Sequence, residues 1–529
     1  MLDILIRNAK VVDGSGGPGY AADIAIAEGR IAEIGRLEGA TAGEVIDAQG
    51  LVAAPGLIDM HSHSDSTLPI NPLAESKVRQ GVTTEVIGMC GSSTAPISEA
   101  QRAEHLRSAG SAGAILGWAW SSFGEYLDRL RAKGLAVNVV PLAGQGTIRN
   151  KVMGHTAAAP TPDQVAAMQA EVAQAMDEGA WGISTGLIYP PGSYATTAEI
   201  VDLAKVAAPR GGFYFSHIRG EGPTLLAALA EAITIGQEAG LPVQVAHYKA
   251  YGKSNWPKSA VGLEMLDEAR RRGIDITPDM YPYVASSTGL AALLPGWAHE
   301  GGAQALLARL ADPATRAKIR QEVLDDMDPA EGEAEWEGTV ISRCVKAPAY
   351  EGKHIAQLAT EKSLAPVDAV LAIVAETEAD ASMIRFKMSE ENLRAQLRYG
   401  QMMIGSDGYS LASYGPLGEG KPHPRNYGTF PRVLARYVRE QGVLSLEEAI
   451  HRMSGLPAAK LGLAQRGLLR PGCWADVVLL DPATVQDRAT FAEPHQYPAG
   501  IPYVLVNGRV VIAGGYHRGV LPGQVLQAP

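Results

Sequence analysis

The stretch Pro55-Gly-Leu-Ile-Asp-Met-His-Ser-His63 runs from a short apolar segment directly into two histidines. Side chains at positions i and i+2 of a strand point to the same face, so both imidazoles can reach one cation. The alternative for such a pair taken alone is two solvent-exposed histidines at a strand end. The pattern makes His61 and His63 candidate metal ligands that need support from elsewhere in the chain.

That support comes from four more strand-like runs, each followed by a side chain that can bind a metal. These side chains are Cys90 after 82–89, His217 after 213–216, His247 after 243–246 and Asp407 after 402–406. Any one of them could be structural, since a lone cysteine is more often a small buried hydrophobe. Catalytic residues collect at the carboxyl ends of the strands in a parallel barrel. Thiolate and imidazole are good zinc ligands, and a carboxylate can bind metal or act as a base. Together the five strand ends predict a metal centre.

Both ends of the chain have the alternating pattern of short strands. Segments 24–27 and 30–34 flank Glu28-Gly29, and segments 504–506 and 509–512 flank Asn507-Gly508, which predicts two hairpins. An isolated pair of strands is only marginally stable. We therefore predict one small β domain built from both termini, residues 1–54 plus 467–529.

The middle of the chain, residues 55–466, alternates buried strands with amphipathic helices and is predicted to form the catalytic unit. Thr161-Pro162-Asp163-Gln164 has the form of a capping box and predicts a helix that Gly179 ends. The gap between Tyr283 and Met402 is too long for one βα loop. Because 301–337 in this gap is charged and helix-like, we predict an inserted subdomain at about 290–350, before the last strand.

The composition limits the partners and the compartment. Among 529 residues, 46 Lys and Arg face 57 Asp and Glu, for a net charge of −11. A nucleic-acid or anionic-membrane partner would require a basic face, so we expect a small-molecule substrate instead. Only three cysteines are present, no apolar run is long enough to span a membrane, and no secretory signal opens the chain. We expect a cytoplasmic protein, either a monomer or a small homo-oligomer.

Further motifs lie around and beyond these strand ends. They are Gly-Met-Cys-Gly-Ser (88–92), Gly-Ile-Ser-Thr-Gly-Leu-Ile-Tyr-Pro-Pro (182–191), His-Ile-Arg-Gly-Glu-Gly (217–222), Asp-Met-Tyr-Pro-Tyr-Val-Ala-Ser-Ser-Thr (279–288), His-Pro-Arg-Asn-Tyr-Gly-Thr-Phe-Pro-Arg (423–432) and Glu-Pro-His-Gln-Tyr-Pro (493–498). With the order of the histidines and Gly-Ser-Asp-Gly at 405–408, they resemble the N-acyl-D-amino-acid deacylases, or D-aminoacylases, of the amidohydrolase superfamily. The resemblance spans nearly the whole chain.

The resemblance implies an α/β fold: a metal-dependent-hydrolase (β/α)8 TIM-like barrel with a small β-sandwich domain from both chain termini. It implies zinc-dependent hydrolysis of N-acyl-D-amino acids to a carboxylate and a free D-amino acid. The implied ligands of a tightly bound zinc are Cys90, His217 and His247, and a weaker second site is implied at His61, His63 and Asp407. Asp407 would also take the proton of the attacking water and deliver it to the leaving amine.

The resemblance also implies the residues that bind the substrate. Arg425 would bind the substrate carboxylate, because guanidinium forms bidentate pairs with carboxylates. Lys249, Tyr281 and Ser287 match positions that hold the substrate, and Tyr189 matches one near the reacting carbonyl. An arginine or tyrosine on a loop is more often a surface or packing residue.

Two departures from the family pattern lie near the same face. Gln145 and Tyr248 stand where many family members have histidine. The motifs contain no basic residue dedicated to an acidic side chain, so neutral or hydrophobic D-amino acids are expected over D-glutamate or D-aspartate.

Two other functions remain open at this stage. A cyclic-amide hydrolase or an isoaspartyl-type dipeptidase would share the fold and the histidines. Those relatives usually bridge two metals through a carboxylated lysine on the fourth strand, whereas segment 182–187 contains no lysine. A non-catalytic binding scaffold is the other alternative, and the intact set of metal-binding side chains argues against it.

Overall fold

The computed structural model describes residues 1–108, 113 and 115–528. The strands are β1 (Leu2–Val11), β2 (Tyr20–Ala27), β3 (Arg30–Gly35), β4 (Ala42–Asp47), β5 (Val52–Pro55), β6 (Leu57–Asp59), β7 (Val82–Ile87), β8 (Asn138–Pro141), β9 (Ala143–Gly144), β10 (Gly182–Gly186), β11 (Phe213–His217), β12 (Val243–Val245), β13 (Ile276–Met280), β14 (Ala285–Gly289), β15 (Thr339–Arg343), β16 (Ser382–Phe386), β17 (Met403–Ile404), β18 (Val477–Leu480), β19 (Tyr503–Val506), β20 (Arg509–Ala513) and β21 (Tyr516–His517).

The α-helices lie between the strands of the middle region. They are α1 (Glu75–Val78), α2 (Glu99–Ser108), α3 (Phe123–Lys133), α4 (Gln145–Met153), α5 (Pro162–Asp177), α6 (Thr197–Ala207), α7 (Leu225–Ala239), α8 (Lys258–Arg271), α9 (Gly302–Ala311), α10 (Pro313–Asp325), α11 (Ala334–Glu337), α12 (Ile355–Lys362), α13 (Pro366–Glu376), α14 (Glu390–Arg398), α15 (Arg425–Arg432), α16 (Leu446–Met453) and α17 (Gly455–Lys460). No helix in the described ranges is both long enough and apolar enough to cross a membrane.

Apart from β14, β15 and β16, the strands of the middle region pair in parallel and in chain order. One set runs β6-β7-β8, and a second runs β9-β10-β11-β12-β13-β17. Strands β8 and β9 follow each other with only Leu142 between them. A parallel bridge between Ser62 and Gly408 joins the segments that follow β6 and β17. The carboxyl ends of these strands therefore lie along one edge.

Both ends of the chain contribute strands to one nine-stranded sheet. Its order is β21-β20-β19-β18-β5-β1-β2-β3, with β4 paired to β1. The two predicted hairpins are confirmed as the antiparallel pairs β2–β3 and β19–β20. Apolar side chains from the two ends, such as Ile6, Ile24 and Leu505, share one buried cluster. Each hairpin thus buries its apolar face against strands from the other end of the chain.

A separate three-stranded sheet lies in the long segment between β13 and β17. Its order is β14-β16-β15, with antiparallel pairing throughout. The helices predicted for 301–337 are present as α9, α10 and α11. Leu306, Ile341, Leu371 and Met383 belong to a hydrophobic cluster of this segment, distinct from the cluster of the parallel strands. The sheet and its cluster extend over 285–386, a range that contains the expected insertion at about 290–350.

The predicted capping box is confirmed at the start of α5. The Thr161 hydroxyl accepts from the backbone N–H of Gln164, and the Gln164 side chain accepts from the backbone N–H of Thr161. Met168 and Val172 are buried on the face that the spacing predicted. The local sequence thus sets where this helix begins and which face it buries.

A buried ion-pair network lies directly behind the carboxyl ends of the first and last parallel strands. Lys77 of α1 has no solvent exposure, and its ammonium donates to Asp59 Oδ2 and Ser406 Oγ, both at 2.6 Å. Asp59 Oδ1 also accepts from the backbone N–H of Ser406 at 2.8 Å. Glu85 Oε2 of β7 lies 3.6 Å from the same ammonium. The network therefore connects β6, β7 and the segment after β17.

Replacing Lys77 with methionine tests this network. Lys77→Met leaves Asp59 buried without its cation, and breaking a buried pair in this way costs about 3–5 kcal/mol. We expect a clearly lower urea midpoint by tryptophan fluorescence. The control Lys10→Met removes a half-exposed pair with Glu447 and should cost at most about 1 kcal/mol. Equal urea midpoints for Lys77→Met and wild type would contradict this role.

Candidate metal centre and active site

Four of the predicted metal-binding side chains converge at the carboxyl ends of the strands. One ligand atom from each of His61, Cys90, His247 and Asp407 lies within 4.8 Å of the others, and all four residues are buried. Cys90 Sγ is 3.3 Å from His61 Nε2 and 3.7 Å from His247 Nε2. One thiolate, two imidazoles and one carboxylate form a donor set suited to zinc.

His217 belongs to a second, overlapping group with His247 and Glu221. Its Nδ1 lies 2.8 Å from His247 Nε2. Its Nε2 is buried and has no hydrogen-bond partner among the described residues. A buried imidazole nitrogen without a partner is costly unless something else binds it, so this nitrogen fits a metal ligand.

His63 has a different position from the one that strand alternation predicts. Strand β6 ends at Asp59, so both histidines lie in the turn that follows the strand. Both imidazoles still contact the same oxygen. Asp407 Oδ1 lies 3.4 Å from His61 Nε2 and 3.0 Å from His63 Nε2. His63 lies outside both groups of closely spaced ligand atoms. The two imidazoles therefore meet at Asp407 by way of the turn.

Glu221 was not predicted to be part of the site, and it contacts two of its members. Its Oε1 lies 2.9 Å from His247 Nδ1 and 2.5 Å from the ammonium of Lys249. Burial alone would raise the pKa of Glu221, but the charges of Lys249, His247 and His217 lower it. The residue is therefore an anion that orients His247 and pairs with Lys249. Its presence in the motif His-Ile-Arg-Gly-Glu-Gly (217–222) was the signal available in the sequence.

Arg425 contacts Asp407 directly. Arg425 Nη1 lies 2.8 Å from Asp407 Oδ2, and both side chains are buried. Burial would raise the pKa of Asp407, but Arg425 and the neighbouring histidines lower it well below its ordinary value. The predicted carboxylate-binding arginine is thus paired with the predicted base.

Three of the predicted metal-binding residues have a left-handed backbone. The φ angles are 53° at Cys90, 35° at His247 and 51° at Asp407. For residues other than glycine this conformation is uncommon and costs of order 1–3 kcal/mol. Each residue follows a parallel strand, and a sharp turn there directs the side chain over the strand ends. Such strained residues cluster at functional sites.

A cavity of about 1390 Å³ opens over these side chains, between the parallel strands and the inserted sheet. All the predicted substrate-binding residues line it: Tyr189, Lys249, Tyr281, Ser287 and Arg425. Tyr189 Oη is 3.0 Å from Thr288 Oγ1, and the Tyr189 ring is 5.0 Å from that of His217. The Arg425 guanidinium lies 4.9 Å and the Lys249 ammonium 5.6 Å from the centre of the Tyr281 ring. The Ser287 carbonyl accepts from Arg425 Nη2 at 3.3 Å.

The two departures from the family pattern occupy different surroundings. The Tyr248 hydroxyl donates to the carbonyl of Ser259 in α8 at 2.5 Å, so its side chain packs toward that helix. Gln145 begins α4 and is buried, and its side-chain amide has no hydrogen-bond partner among the described residues. Neither side chain belongs to the groups of metal-binding atoms.

Comparisons with known proteins agree with this geometry. The model of the amidohydrolase family matches residues 44–512. The D-aminoacylase of Alcaligenes xylosoxydans xylosoxydans is 38% identical over 527 residues, covering 99% of this chain and 97% of the relative. The chain therefore belongs to the amidohydrolase family, which confirms the resemblance seen in the sequence.

Two solved structures are similar over the full length of both chains. A D-aminoacylase, studied for the role of its binuclear metal center, has 36% identity and a TM-score of 0.85. The N-acyl-D-glutamate deacylase from Bordetella bronchiseptica, complexed with zinc and a phosphonate inhibitor, has 36% identity and a TM-score of 0.84. Each comparison covers 100% of this chain and 100% of the solved one. Overall similarity therefore does not separate the two substrate preferences.

The surroundings of Cys90 predict a selectively reactive thiol in protein stripped of metal. Burial would raise the pKa of Cys90, but the charge of His61 and contacts with His217 and His247 lower it well below its ordinary value. Burial raises the pKa of Cys344 and Cys473. Because the thiolate is the nucleophile, iodoacetamide at pH 6 should modify Cys90 first, as measured by peptide mass mapping. Preferential labelling of either other cysteine would contradict this order.

Proposed function

We propose that this protein is a zinc-dependent hydrolase that converts N-acyl-D-amino acids to a carboxylate and a free D-amino acid. The observation that carries the proposal is the buried group of His61, Cys90, His247 and Asp407, in a chain with deacylase relatives along its full length. The cavity over this group is large enough for an acylated amino acid.

The donor set fits one tightly bound zinc and a weaker second site. In this proposal Cys90, His217 and His247 hold the first zinc, while His61, His63 and Asp407 form the second site. The buried, unpartnered Nε2 of His217 supports its role as a ligand. Bound zinc would act as a Lewis acid and lower the pKa of water, so that hydroxide forms near neutral pH.

Asp407 is the proposed general base and acid. Arg425 and the neighbouring histidines lower the pKa of this carboxyl, so it is ionised at neutral pH. It takes a proton from the attacking water and delivers it to the amine nitrogen, because a free amine leaves poorly unless it is protonated. The contacts of His61 and His63 with Oδ1 orient this carboxylate.

The substrate carboxylate binds Arg425 in this proposal, with Lys249, Tyr281 and Ser287 around it and Tyr189 near the reacting carbonyl. Arg425 and Lys249 are buried cations beside the Tyr281 ring, and a carboxylate forms charge-assisted hydrogen bonds with both. Because Arg425 also contacts Asp407, the same arginine places the substrate carboxylate close to the base.

We further propose the domain arrangement that the sequence predicted. The parallel strands, with β8 and β9 taken as one, form a (β/α)8 TIM-like barrel over residues 55–466 with the insertion at about 290–350. Residues 1–54 and 467–529 form the β-sandwich domain. The Ser62–Gly408 bridge and the sheet shared by both termini support this arrangement. We propose a cytoplasmic enzyme, monomeric or a small homo-oligomer, with no nucleic-acid or membrane partner.

The alternative is a cyclic-amide hydrolase or an isoaspartyl-type dipeptidase. Strand β10, the fourth parallel strand, contains no lysine, and its Ser184 hydroxyl donates to the carbonyl of Gly88. The thiol of Cys90 lies among the imidazoles instead. This arrangement favours the deacylase.

Stereospecific hydrolysis is the direct test. With the carbonyl held at the metal centre and the carboxylate at Arg425, inverting the α-carbon drives the side chain into the wall or leaves a charge unpaired. We therefore expect kcat/KM for N-acetyl-D-methionine to exceed that for the L-enantiomer by about 10³ or more. Release of free amine measures both rates. Equal rates for the two enantiomers, or faster cleavage of a hydantoin, would reject the proposal.

The role of Asp407 is tested by Asp407→Asn, which keeps the shape but cannot accept the proton. We expect kcat to fall by about 10²–10⁴, while tightly bound zinc, measured by atomic emission, changes little. Cys90→Ala is the contrasting variant and should lose most of its zinc. An asparagine variant with near-normal turnover would remove Asp407 from the proton transfer.

A further inference from the structure

The charges that line the large cavity carry information about the substrate side chain. Five lysine and arginine side chains in the described part of the chain line it: Arg219, Lys249, Arg385, Lys387 and Arg425. Each of these cations forms an ion pair with a carboxylate. Asp326 and Asp328 line the same cavity and add negative charge. A substrate therefore meets cations that are already neutralised.

Two of the five cavity-lining cations, Arg385 and Lys387, belong to the inserted segment. They are 8% and 3% exposed. Arg385 pairs with Glu335 Oε1, and the ammonium of Lys387 lies 2.7 Å from Glu331 and 2.8 Å from Glu335 Oε2. The Tyr251 ring lies 5.4 Å from the Arg385 guanidinium and 5.9 Å from the Lys387 ammonium. Two buried cations thus face two carboxylates.

The strand register places Arg385 next to β14, the strand that carries Ser287. In the antiparallel pair β14–β16, Arg385 is opposite Ser286 and Ile384 is opposite Ser287. Ser286, Ser287 and Arg385 all line the cavity. Ser287 and Arg385 therefore lie on alternate faces of the pair. Both line the same cavity, so an acidic side chain that extends across the cavity to Arg385 would meet a guanidinium already paired with Glu335.

The remaining cations do not offer a second anion site. Arg425 and Lys249 are assigned to the substrate's α-carboxylate. Arg219 is held by Glu231 at 2.9 Å and by the carbonyls of Ser193 and Ala195 at 2.8 Å each. The α-carboxylate already has to share Arg425 and Lys249 with Asp407 and Glu221. A second substrate carboxylate would thus lose its hydration without a further cation to bind, which is unfavourable.

We propose that Glu331 and Glu335 determine the side-chain specificity of this enzyme by neutralising Arg385 and Lys387. The substrates are then N-acyl-D-amino acids with uncharged side chains, and acidic side chains are rejected. This inference rests on the proposed function, because it concerns the side chain of the same substrate.

The wild-type test compares two substrates of nearly the same shape, N-acetyl-D-glutamine and N-acetyl-D-glutamate. Because they differ chiefly in charge, we expect kcat/KM to be about 100-fold higher for the glutamine derivative. Comparable values for the two would overturn the specificity proposal and leave the deacylase function intact. If the protein hydrolyses none of these three substrates, namely the glutamine, glutamate and methionine derivatives, the proposed function is overturned and this inference with it.

A gain of activity tests the named residues. Glu335→Gln retains the shape but leaves positive charge uncompensated at Arg385 and Lys387, so kcat/KM for N-acetyl-D-glutamate should rise about 10-fold. The value for N-acetyl-D-glutamine should change little. Glu333→Gln is the matched control, since Glu333 is exposed and outside the lining, and it should behave as wild type.

Glu331→Gln is a second test variant. Glu331 is less buried than Glu335 and pairs with Lys387 alone, so this variant can be measured even if Glu335→Gln does not fold. We expect a smaller rise of the same sign for N-acetyl-D-glutamate. Folded Glu335→Gln or Glu331→Gln protein without any gain on the acidic substrate, or an equal gain in Glu333→Gln, would overturn the assignment.

Discussion

The buried ammonium of Lys77 is the constraint on which the geometry of the site depends. It holds Asp59 at the end of β6 and Ser406 after β17, each at 2.6 Å. Asp59 in turn accepts from the backbone N–H of Ser406 and of His61. The first and last parallel strands are thereby joined immediately before His61 and Asp407. Without this cation, two buried carboxylates would repel each other where the strand ends must meet.

The same principle of paired charges recurs around the metal-binding side chains. Glu221 pairs with Lys249 on one side of His247, and Arg425 pairs with Asp407 on the other side of the site. In a buried site such pairs are held in place, because separating them leaves a charge without solvation. Cys90 contacts the imidazoles of His61 and His247 within this site, and thiolate and imidazole are donors that suit zinc.

The inserted segment completes the cavity from the opposite side. Its sheet has its own hydrophobic cluster, and its strands β14 and β16 carry Ser287 and Arg385, which line the cavity. In the proposed function, chemistry and side-chain specificity are therefore carried by different parts of the chain. One part supplies the metal-binding strand ends, and the other supplies the wall that faces the substrate.

The residues that sequence reasoning located are those whose position follows from local pattern. Cys90, His217, His247 and Asp407 each follow an apolar run, and the carboxyl ends of parallel strands meet regardless of details in between. His63 was expected on a strand but lies in a turn, because β6 is only three residues long. Glu221 lies on a loop, where no periodicity says which way a side chain points.

By itself the sequence determined the elements and their order: the two hairpins, the capped helix α5, the strand ends that carry metal ligands, and the family. These depend on neighbours along the chain, on turn residues and on alternation of apolar positions. Only the tertiary structure decided the partners of the buried charges, such as Arg425 with Asp407 and Arg385 with Glu335. The physical reason is that an ion pair between distant segments depends on how side chains pack in three dimensions. A pairing of this kind leaves no periodic trace in the sequence.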